Sequence, residues 1–355
     1  MIGIISYSGN GNLGDNLLLD QVIADFKEIN PMCEFAACSP CSDAIVNRYG
    51  LKRVTSRDEL DGSVIFGGVV GDAQRNILKN FFETFRYMED QGKPAIFYGI
   101  GVNPITTALS ADIIYDVIQN ATLVTVRDQM SYRRLRQIGV TRDIIIAPDI
   151  VLQRQMNLHT TIQPEGILFI MADFFGYDNT RHEDFIHTLA ATVDYFAKKK
   201  TKVSVMSFHD SRDQKCIQAI QFNSVYAHRV NWLTVKEHDY QRMFNIFEEH
   251  TCIVPMRLHA MISAILVGRP CVPIAYHTKM DELAEMALID FYSIPFGDGT
   301  SSDHTRMPLD QEFLSEKIER VMSIPSSHAC KGYDRVREDS KLHSVSLRQA
   351  LQGKI

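Results

Sequence analysis

Short apolar runs alternate with longer stretches of helical periodicity along nearly the whole chain. Gly3 to Tyr7 predicts a first strand, and Asn16 to Ile29 a first helix. Glu34 to Cys38 predicts a short strand. Val64 to Gly67 predicts a strand entering a Gly67-Gly68 turn, and the spacing of Leu78, Phe82, Phe85 and Met88 predicts a helix behind it. Pro94 to Tyr98, Leu123 to Val126 and Ile144 to Ala147 complete the strands of the first half. These runs are apolar throughout instead of alternating, the pattern of parallel strands buried on both faces.

The texture turns polar from Asn157 to Glu165 and ends in Pro164-Glu165-Gly166, which marks a boundary. A second series follows. Strands are predicted at Ile167 to Met171, Val203 to Ser207, Trp232 to Val235, Cys252 to Pro255 and Cys271 to Ala275. Helices are predicted at Glu183 to Lys199, Asp213 to Phe222, Tyr240 to Glu249 and Leu258 to Val267. Two alternating series of similar length predict an α/β protein of two Rossmann-like domains facing across a cleft, residues 1–160 and 161–325. Residues 326–355 read as a polar C-terminal tail that either caps a domain or stays solvated. In such sheets ligands sit beyond the carboxyl ends of the strands, so the loops after strands are where chemistry is sought.

Composition narrows the class. At 355 residues, 45% hydrophobic and 23% charged, the chain suits two soluble domains, not a disordered polymer. A net charge of −6 and a pI near 6.1 argue against a nucleic-acid binder. Any anion site must therefore be built locally, from a few placed basic side chains. No apolar run approaches the ~18 residues of a membrane span; the best, Cys252 to Tyr276, is broken by Arg257, His259, Ser263 and Arg269. With no basic leader ahead of a long apolar segment, a cytoplasmic protein is expected. The seven cysteines do not make a disulfide framework, and the Cys38/Cys41 pair lacks further ligands at zinc spacing. No metal site is expected.

Gly9-Asn10-Gly11-Asn12-Leu13-Gly14 matches the G-x-G-x-x-G dinucleotide pattern between a strand and a helix. Two features speak against a nicotinamide cofactor. Asp15 follows the third glycine, where its charge opposes a bound pyrophosphate. The ribose-binding acid expected about 20 positions on is missing, since that segment reads Ala36-Ala37-Cys38-Ser39-Pro40. Asn12 and Asp15 remain as helix caps or as ligand contacts.

The most informative stretch is Pro255-Met256-Arg257-Leu258-His259-Ala260, with Gly268-Arg269-Pro270 behind it. An apolar strand ends where a helix begins, and a guanidinium, an imidazole and helix N–H groups meet there: the ingredients of an anion site with a proton at hand. Arg127, in Thr125-Val126-Arg127-Asp128, ends another strand. It reads either as a surface pair with Asp128 or as a guanidinium projecting into the cleft. His209 after the strand at 203–207, and His277 and Lys279 after the last strand, are further post-strand candidates, the two histidines more in supporting than in catalytic roles. Asp72, just past the Gly67-Gly68 turn, is placed to act as acid or base or to bind a sugar hydroxyl.

Taken in order, these segments resemble the polysaccharide pyruvyl transferase family. The matching pieces are Gly11-Asn12-Leu13-Gly14-Asp15, Gly67-Gly68, Gly99-Ile100-Gly101-Val102-Asn103-Pro104, Val126-Arg127-Asp128 with Ser131, Ala147-Pro148-Asp149, and Arg257-Leu258-His259-Ala260 with Gly268-Arg269-Pro270. The resemblance implies a GT-B-like fold and an enzyme that forms a pyruvate ketal on a sugar of a bacterial surface polysaccharide or its lipid-linked precursor. Phosphoenolpyruvate is the implied donor and co-substrate, with no other cofactor and no metal. The acceptor falls to the N-terminal domain and phosphoenolpyruvate to the C-terminal one. The resemblance makes Arg257, with Leu258, the phosphoenolpyruvate-binding element, His259 its partner and Arg127 a second anion-binding arginine. Asn12, Asp15, His209, His277 and Lys279 are expected substrate contacts, and His259 and Asp72 the catalytic pair. The chain departs from the family at Gly67-Gly68-Val69, where a third glycine is common, and its spacing to Asp72 is short. A wall for the acceptor is expected from Ala172 to Glu183, with Phe174, Phe175, Tyr177 and Arg181. The lipid carrier of such a precursor would be a polyprenyl diphosphate at the inner face of the cytoplasmic membrane. The alternatives are a GT-B glycosyltransferase with a nucleotide-sugar donor and a non-catalytic binding module on the same fold.

Overall fold

The computed structural model describes residues 1–352 apart from 7, 10, 40, 69, 73–74, 159–162, 174–178, 237–238 and 295–308, with the backbone alone at 75–81, 179–181 and 210–211. The chain divides into two compact units. The first comprises Met1–Asn10, Asp15–Arg154 and Val336–Ile355, and the second Gly11–Gly14 with Gln155–Arg335.

The first unit is built on six strands: Ile2–Ile5 (β1), Phe35–Ala37 (β2), Gly62–Phe66 (β3), Ala95–Ile100 (β4), Leu123–Val126 (β5) and Ile145–Ile146 (β6). They pair in parallel in the order β2-β1-β3-β4-β5-β6. All residues of β1, β3, β4 and β5 are buried, which is why these strands show as unbroken apolar runs. Helices Leu13–Ile29 (α1), Asp43–Tyr49 (α2), Arg75–Asp90 (α3), Ala108–Asn120 (α4) and Gln129–Gln137 (α5) connect them. One face of the sheet gathers Ile5, Ile65, Phe85, Phe97 and Val124 into a core.

The second unit repeats the plan. Ile167–Met171 (β7), Val203–Ser207 (β8), Val230–Leu233 (β9) and Cys252–Pro255 (β10) form a parallel sheet ordered β10-β7-β8-β9. Asn179–Lys198 (α6), Asp210–Asn223 (α7), Tyr240–Glu248 (α8) and Leu258–Leu266 (α9) connect these strands and lead on from them. Every residue of α9 is buried, so this helix is apolar all round. Ile274–Ala275 (β11) and Tyr292–Ser293 (β12) make a small parallel pair with Thr278–Met286 (α10) between them, and Gln311–Ser323 (α11) follows. The fold is α/β and GT-B-like, with two Rossmann-like units.

The polar C-terminal stretch is helical, with Ser326–Ala329 (α12), Tyr333–Ser340 (α13) and Leu342–Leu351 (α14). Tyr333, Val336, Leu347 and Leu351 are buried, and α14 lies against β4 and β5. Among the described residues no helix is long and apolar enough to cross a membrane.

Several boundaries differ from the sequence reading for identifiable reasons. Helix α1 begins at Leu13, inside the glycine pattern, because Asn12 caps it: the Gly14 amide donates to Asn12 Oδ1 at 3.0 Å. Strand β9 begins two residues before Trp232 and ends before Val235, an edge position where Asn231 faces solvent. Of the predicted strand from Cys271 to Ala275, only Ile274–Ala275 pairs as a strand. Pro273 lies between it and Cys271, which makes a single bridge to Ile253.

Candidate functional site

In each of the two larger sheets one pair of neighbouring strands marks where the chain changes its direction of travel. In the second unit the chain runs from β7 through β8 to β9 and then returns to place β10 on the other side of β7. The loops leaving β7 and β10 therefore part from each other, and such a switch point is where open α/β sheets take their ligands. Asp173 follows β7 here, and Arg257 follows β10.

Arg257 is the N-cap residue of α9, with extended backbone and no side-chain cap of its own. Its guanidinium turns to Asp213 in the first turns of α7: Nε donates to Oδ2 at 3.3 Å, and Nη2 donates to Oδ1 in a short ion pair. Asp213 is fully buried. It also accepts from the backbone amides of Asp173 (3.3 Å), Phe208 (3.3 Å) and His209 (2.9 Å). A carboxylate can lie buried because donors surround it, and here one group ties the ends of β7 and β8 to the arginine. Arg257 keeps 20% of its side-chain exposure. Tyr276, directly after β11, hydrogen-bonds Arg257, and burial is the main cause that pushes its phenol up.

His259 is the second residue of α9 and is 8% exposed. Its imidazole rests on the backbone of Gly14. A Cβ added there would overlap the ring, with His259 Cγ at 2.7 Å and Cβ at 2.9 Å. Glycine is required at this position by close approach, since its φ is not positive. The same loop is stitched to the end of β8: Asn12 bridges His209, and the Leu13 amide donates to the Phe208 carbonyl at 3.1 Å. His209 is the N-cap residue of α7, and its side chain makes no cap bond. Asn12, His209, Arg257, Leu258 and His259 are thus gathered at the carboxyl ends of β7, β8 and β10, where a guanidinium, an imidazole and the first amides of α9 can meet an anion.

His277 has a structural task. As N-cap of α10 its Nδ1 accepts from the Lys279 amide at 3.3 Å, so Nδ1 is the unprotonated nitrogen. Lys279 sits in the first turn of that helix and is half-buried.

The remaining candidates belong to the first unit. Arg127 follows β5 with a side chain only 6% exposed, not the surface pair of one sequence reading. Its Nη1 donates to Asp149 Oδ2 at 3.1 Å, and its Nε lies 3.7 Å from Asp128 Oδ2. Asp128 itself caps α5 by accepting from the Ser131 amide at 2.7 Å. Gly101 leaves room for the guanidinium, since a Cβ there would lie 2.6 Å from Nη2.

Asp72 is tied to the loop before α4. Its Oδ2 accepts from the amide and the hydroxyl of Thr106, both at 2.5 Å, and Oδ1 from Thr107. Desolvation opposes ionisation, but the bonds from Thr106, Ser110 and Thr107 outweigh it and hold the carboxyl below its ordinary value. Asp72 is therefore ionised at neutral pH, which suits an acceptor of protons and not a donor. Asp15 lies in the first turn of α1, where a negative charge suits the helix dipole, and its carbonyl accepts from Ser8 Oγ at 3.1 Å. Phe174, Phe175, Tyr177 and the Arg181 side chain lie outside the described residues.

Sequence reasoning missed Asp213 and Tyr276. Asp213 carried one local signal, a carboxylate near a helix start. Its tie to Arg257, 44 positions on, comes from the sheet order. Tyr276 stood beside a noted histidine but reads as an ordinary core aromatic.

A family model described as polysaccharide pyruvyl transferase matches residues 12–278. No curated protein matches the sequence. Among solved structures the chain is similar to UDP-GlcNAc 2-epimerase from Neisseria meningitidis bound to UDP-GlcNAc, at 12% identity and TM-score 0.63, over 98% of this chain and 100% of that one. It is also similar to the S. aureus MnaA-UDP co-structure, at 10% identity and TM-score 0.64, over 100% and 97%. A ugt transferase from Siraitia grosvenorii in complex with UDP gives 10% identity and TM-score 0.56, over all of both chains. At such identities the likeness is one of fold alone.

Proposed function

The chain belongs to the polysaccharide pyruvyl transferase family, and from that premise we propose that it transfers the pyruvyl group of phosphoenolpyruvate to a sugar, forming a cyclic ketal and releasing phosphate. One observation carries the reading: Arg257 and His259 stand at the switch point of the second unit, as the N-cap and the second residue of α9, with the arginine fixed by a buried carboxylate. Phosphoenolpyruvate presents a carboxylate and a phosphate, and a planar guanidinium with helix amides suits both.

The chemistry requires a proton at the methylene carbon, which leaves C2 electrophilic. A first sugar hydroxyl attacks C2 and loses its proton. The C2–O bond to phosphate breaks, phosphate departs with the electron pair, and a second hydroxyl closes the ketal with loss of its proton. No oxidation state changes overall, so the enzyme's tasks are to deliver and take up protons and to stabilise the anions. His259 is the proposed donor of the first proton, Arg257 the anchor of the donor anions and Arg127 a second anion-binding arginine. Asp72, ionised, is assigned to the receiving side.

On this reading the acceptor is a saccharide of a surface polysaccharide or its polyprenyl-diphosphate-linked precursor. The protein works in the cytoplasm at the inner face of the membrane. A thermal-shift comparison tests the donor, because a ligand that binds only the folded state raises its apparent stability. Phosphoenolpyruvate is expected to raise the melting temperature and UDP-sugars to leave it unchanged. Protection by UDP-sugars alone would replace this reading with a nucleotide-sugar transferase.

A further inference from the structure

His343 lies on α14, outside the segment matched by the family model, and is completely buried in the first unit. Its ring makes a directed set of bonds. Thr125 Oγ1 accepts from the Gly99 amide at 2.7 Å, so its single proton is available for His343 Nδ1, 2.8 Å away. The ring proton is then on Nε2, which lies 3.1 Å from the Ala147 carbonyl and 3.0 Å from that of Pro148. The imidazole is neutral: burial pushes its pKa down to about 4.

The groups so joined are those that seat Arg127. Thr125 is two residues before Arg127 on β5. Gly99 opens the Gly99-Ile100-Gly101 segment, whose Ile100 carbonyl accepts from the Arg127 amide at 3.1 Å and whose Gly101 gives the guanidinium its space. Ala147 and Pro148 immediately precede Asp149, the ion-pair partner of Arg127. One ring from the end of the chain therefore holds three separate backbone segments in register around a single arginine.

We propose that His343 is the positioning residue for Arg127, and that helix α14 is part of this arginine's site. Only the substrate consequence rests on the function proposed above.

The test follows the Arg127 Nε–H resonance in the full chain, assigned by its loss in Arg127→Lys. His343→Phe keeps a ring but removes both sets of hydrogen bonds, Thr125→Val removes the linking hydroxyl, and His343→Gln retains a donor for the two carbonyls. Ile318→Ala, in the core of the second unit, serves as a control for lost stability. The resonance is expected to shift or broaden in His343→Phe and Thr125→Val and to hold its place in His343→Gln and Ile318→Ala. An unmoved resonance in both His343→Phe and Thr125→Val, whatever their melting temperatures, makes His343 ordinary core and overturns the proposal. Phosphoenolpyruvate affinity, measured by calorimetry on the same variants, should fall roughly 10–100-fold wherever the resonance moves, as for loss of a well-placed charged hydrogen bond. If the resonance moves and the wild-type protein binds no phosphoenolpyruvate, the positioning role stands and the proposed donor falls.

Discussion

Asp213 and Arg257 form a pair in which the acidic side chain is wholly buried while the arginine side chain keeps 20% of its exposure. The buried carboxylate sets the cost of breaking it. Arg257→Gln leaves a buried carboxylate short of its charged partner and should cost about 3 kcal/mol of stability. Asp213→Asn turns an NH2 group towards N–H donors that the carboxylate now satisfies, and should cost at least as much. The double variant should lose less than the sum of the two, which urea denaturation of all four proteins would measure as a coupling energy. Additive losses would mean that the pair is not an energetic unit.

Gly14 tests the placing of His259. Alanine is the better helix former by about 1 kcal/mol, but its Cβ would overlap the His259 ring. The overlap reaches His259 Cβ, which α9 holds in place, so Gly14→Ala should cost about 1–3 kcal/mol of stability, as overpacking does, as well as displacing the imidazole. Turnover is expected to fall more than about tenfold, in line with the sensitivity of catalysis to small misplacements. Steady-state kinetics beside a melting curve decide the matter, and unchanged turnover would detach His259 from the chemistry.

His259→Gln removes the proposed proton donor but keeps a polar side chain. It should lower kcat by roughly 10²–10⁴-fold, the usual contribution of a placed acid or base. Phosphoenolpyruvate affinity should change little, since Arg257 remains. A loss in affinity with kcat preserved would move His259 from proton transfer to binding.

Two buried groups of the first unit give opposite pH signatures. His343, pushed down to about 4 from 6.5 by burial, stays neutral in the fold while the unfolded chain takes a proton. Stability from this group is lost as the pH falls from 6.5 towards 4. Asp25 is raised to about 6 from 3.8, chiefly by burial. The Tyr98 hydroxyl donates to its Oδ2 at 2.6 Å, and Gln21 Nε2 to its Oδ1 at 2.7 Å. Here the folded state binds the extra proton, so stability is lost as the pH rises through 3.8 to 6. Each effect is on the order of 3 kcal/mol, and in wild type they largely oppose each other. Urea melts between pH 4 and 7 should show His343→Gln gaining on wild type as the pH falls and Asp25→Asn losing ground. Parallel curves would contradict both assignments.

Legibility in the sequence followed burial and locality. The strands of both sheets stood out because residues buried on two faces must be apolar wherever they lie in the chain. The Arg257-Leu258-His259 elbow was readable because its strand, cation and helix start are contiguous. Asp213 was not, because its meaning arises only when β7 lies between β8 and β10. Helix α5, Gln129 to Gln137, buries only Ser131 and Leu135, which leaves too little apolar pattern to announce it. The glycine pattern pointed to a helix start but not to its reason, the imidazole against Gly14. The polar C-terminal stretch concealed a buried histidine, since composition averages over the few inward positions of a short helix.

The most direct measurement is a coupled assay of phosphate release and acid-labile pyruvate on the product, with phosphoenolpyruvate and a panel of free and lipid-linked saccharides. The account predicts phosphate and sugar-bound pyruvate in equal amounts with at least one acceptor, and loss of both in Arg257→Ala. Turnover that survives in Arg257→Ala, or a wild-type protein that spends UDP-sugars and leaves phosphoenolpyruvate untouched, would contradict it.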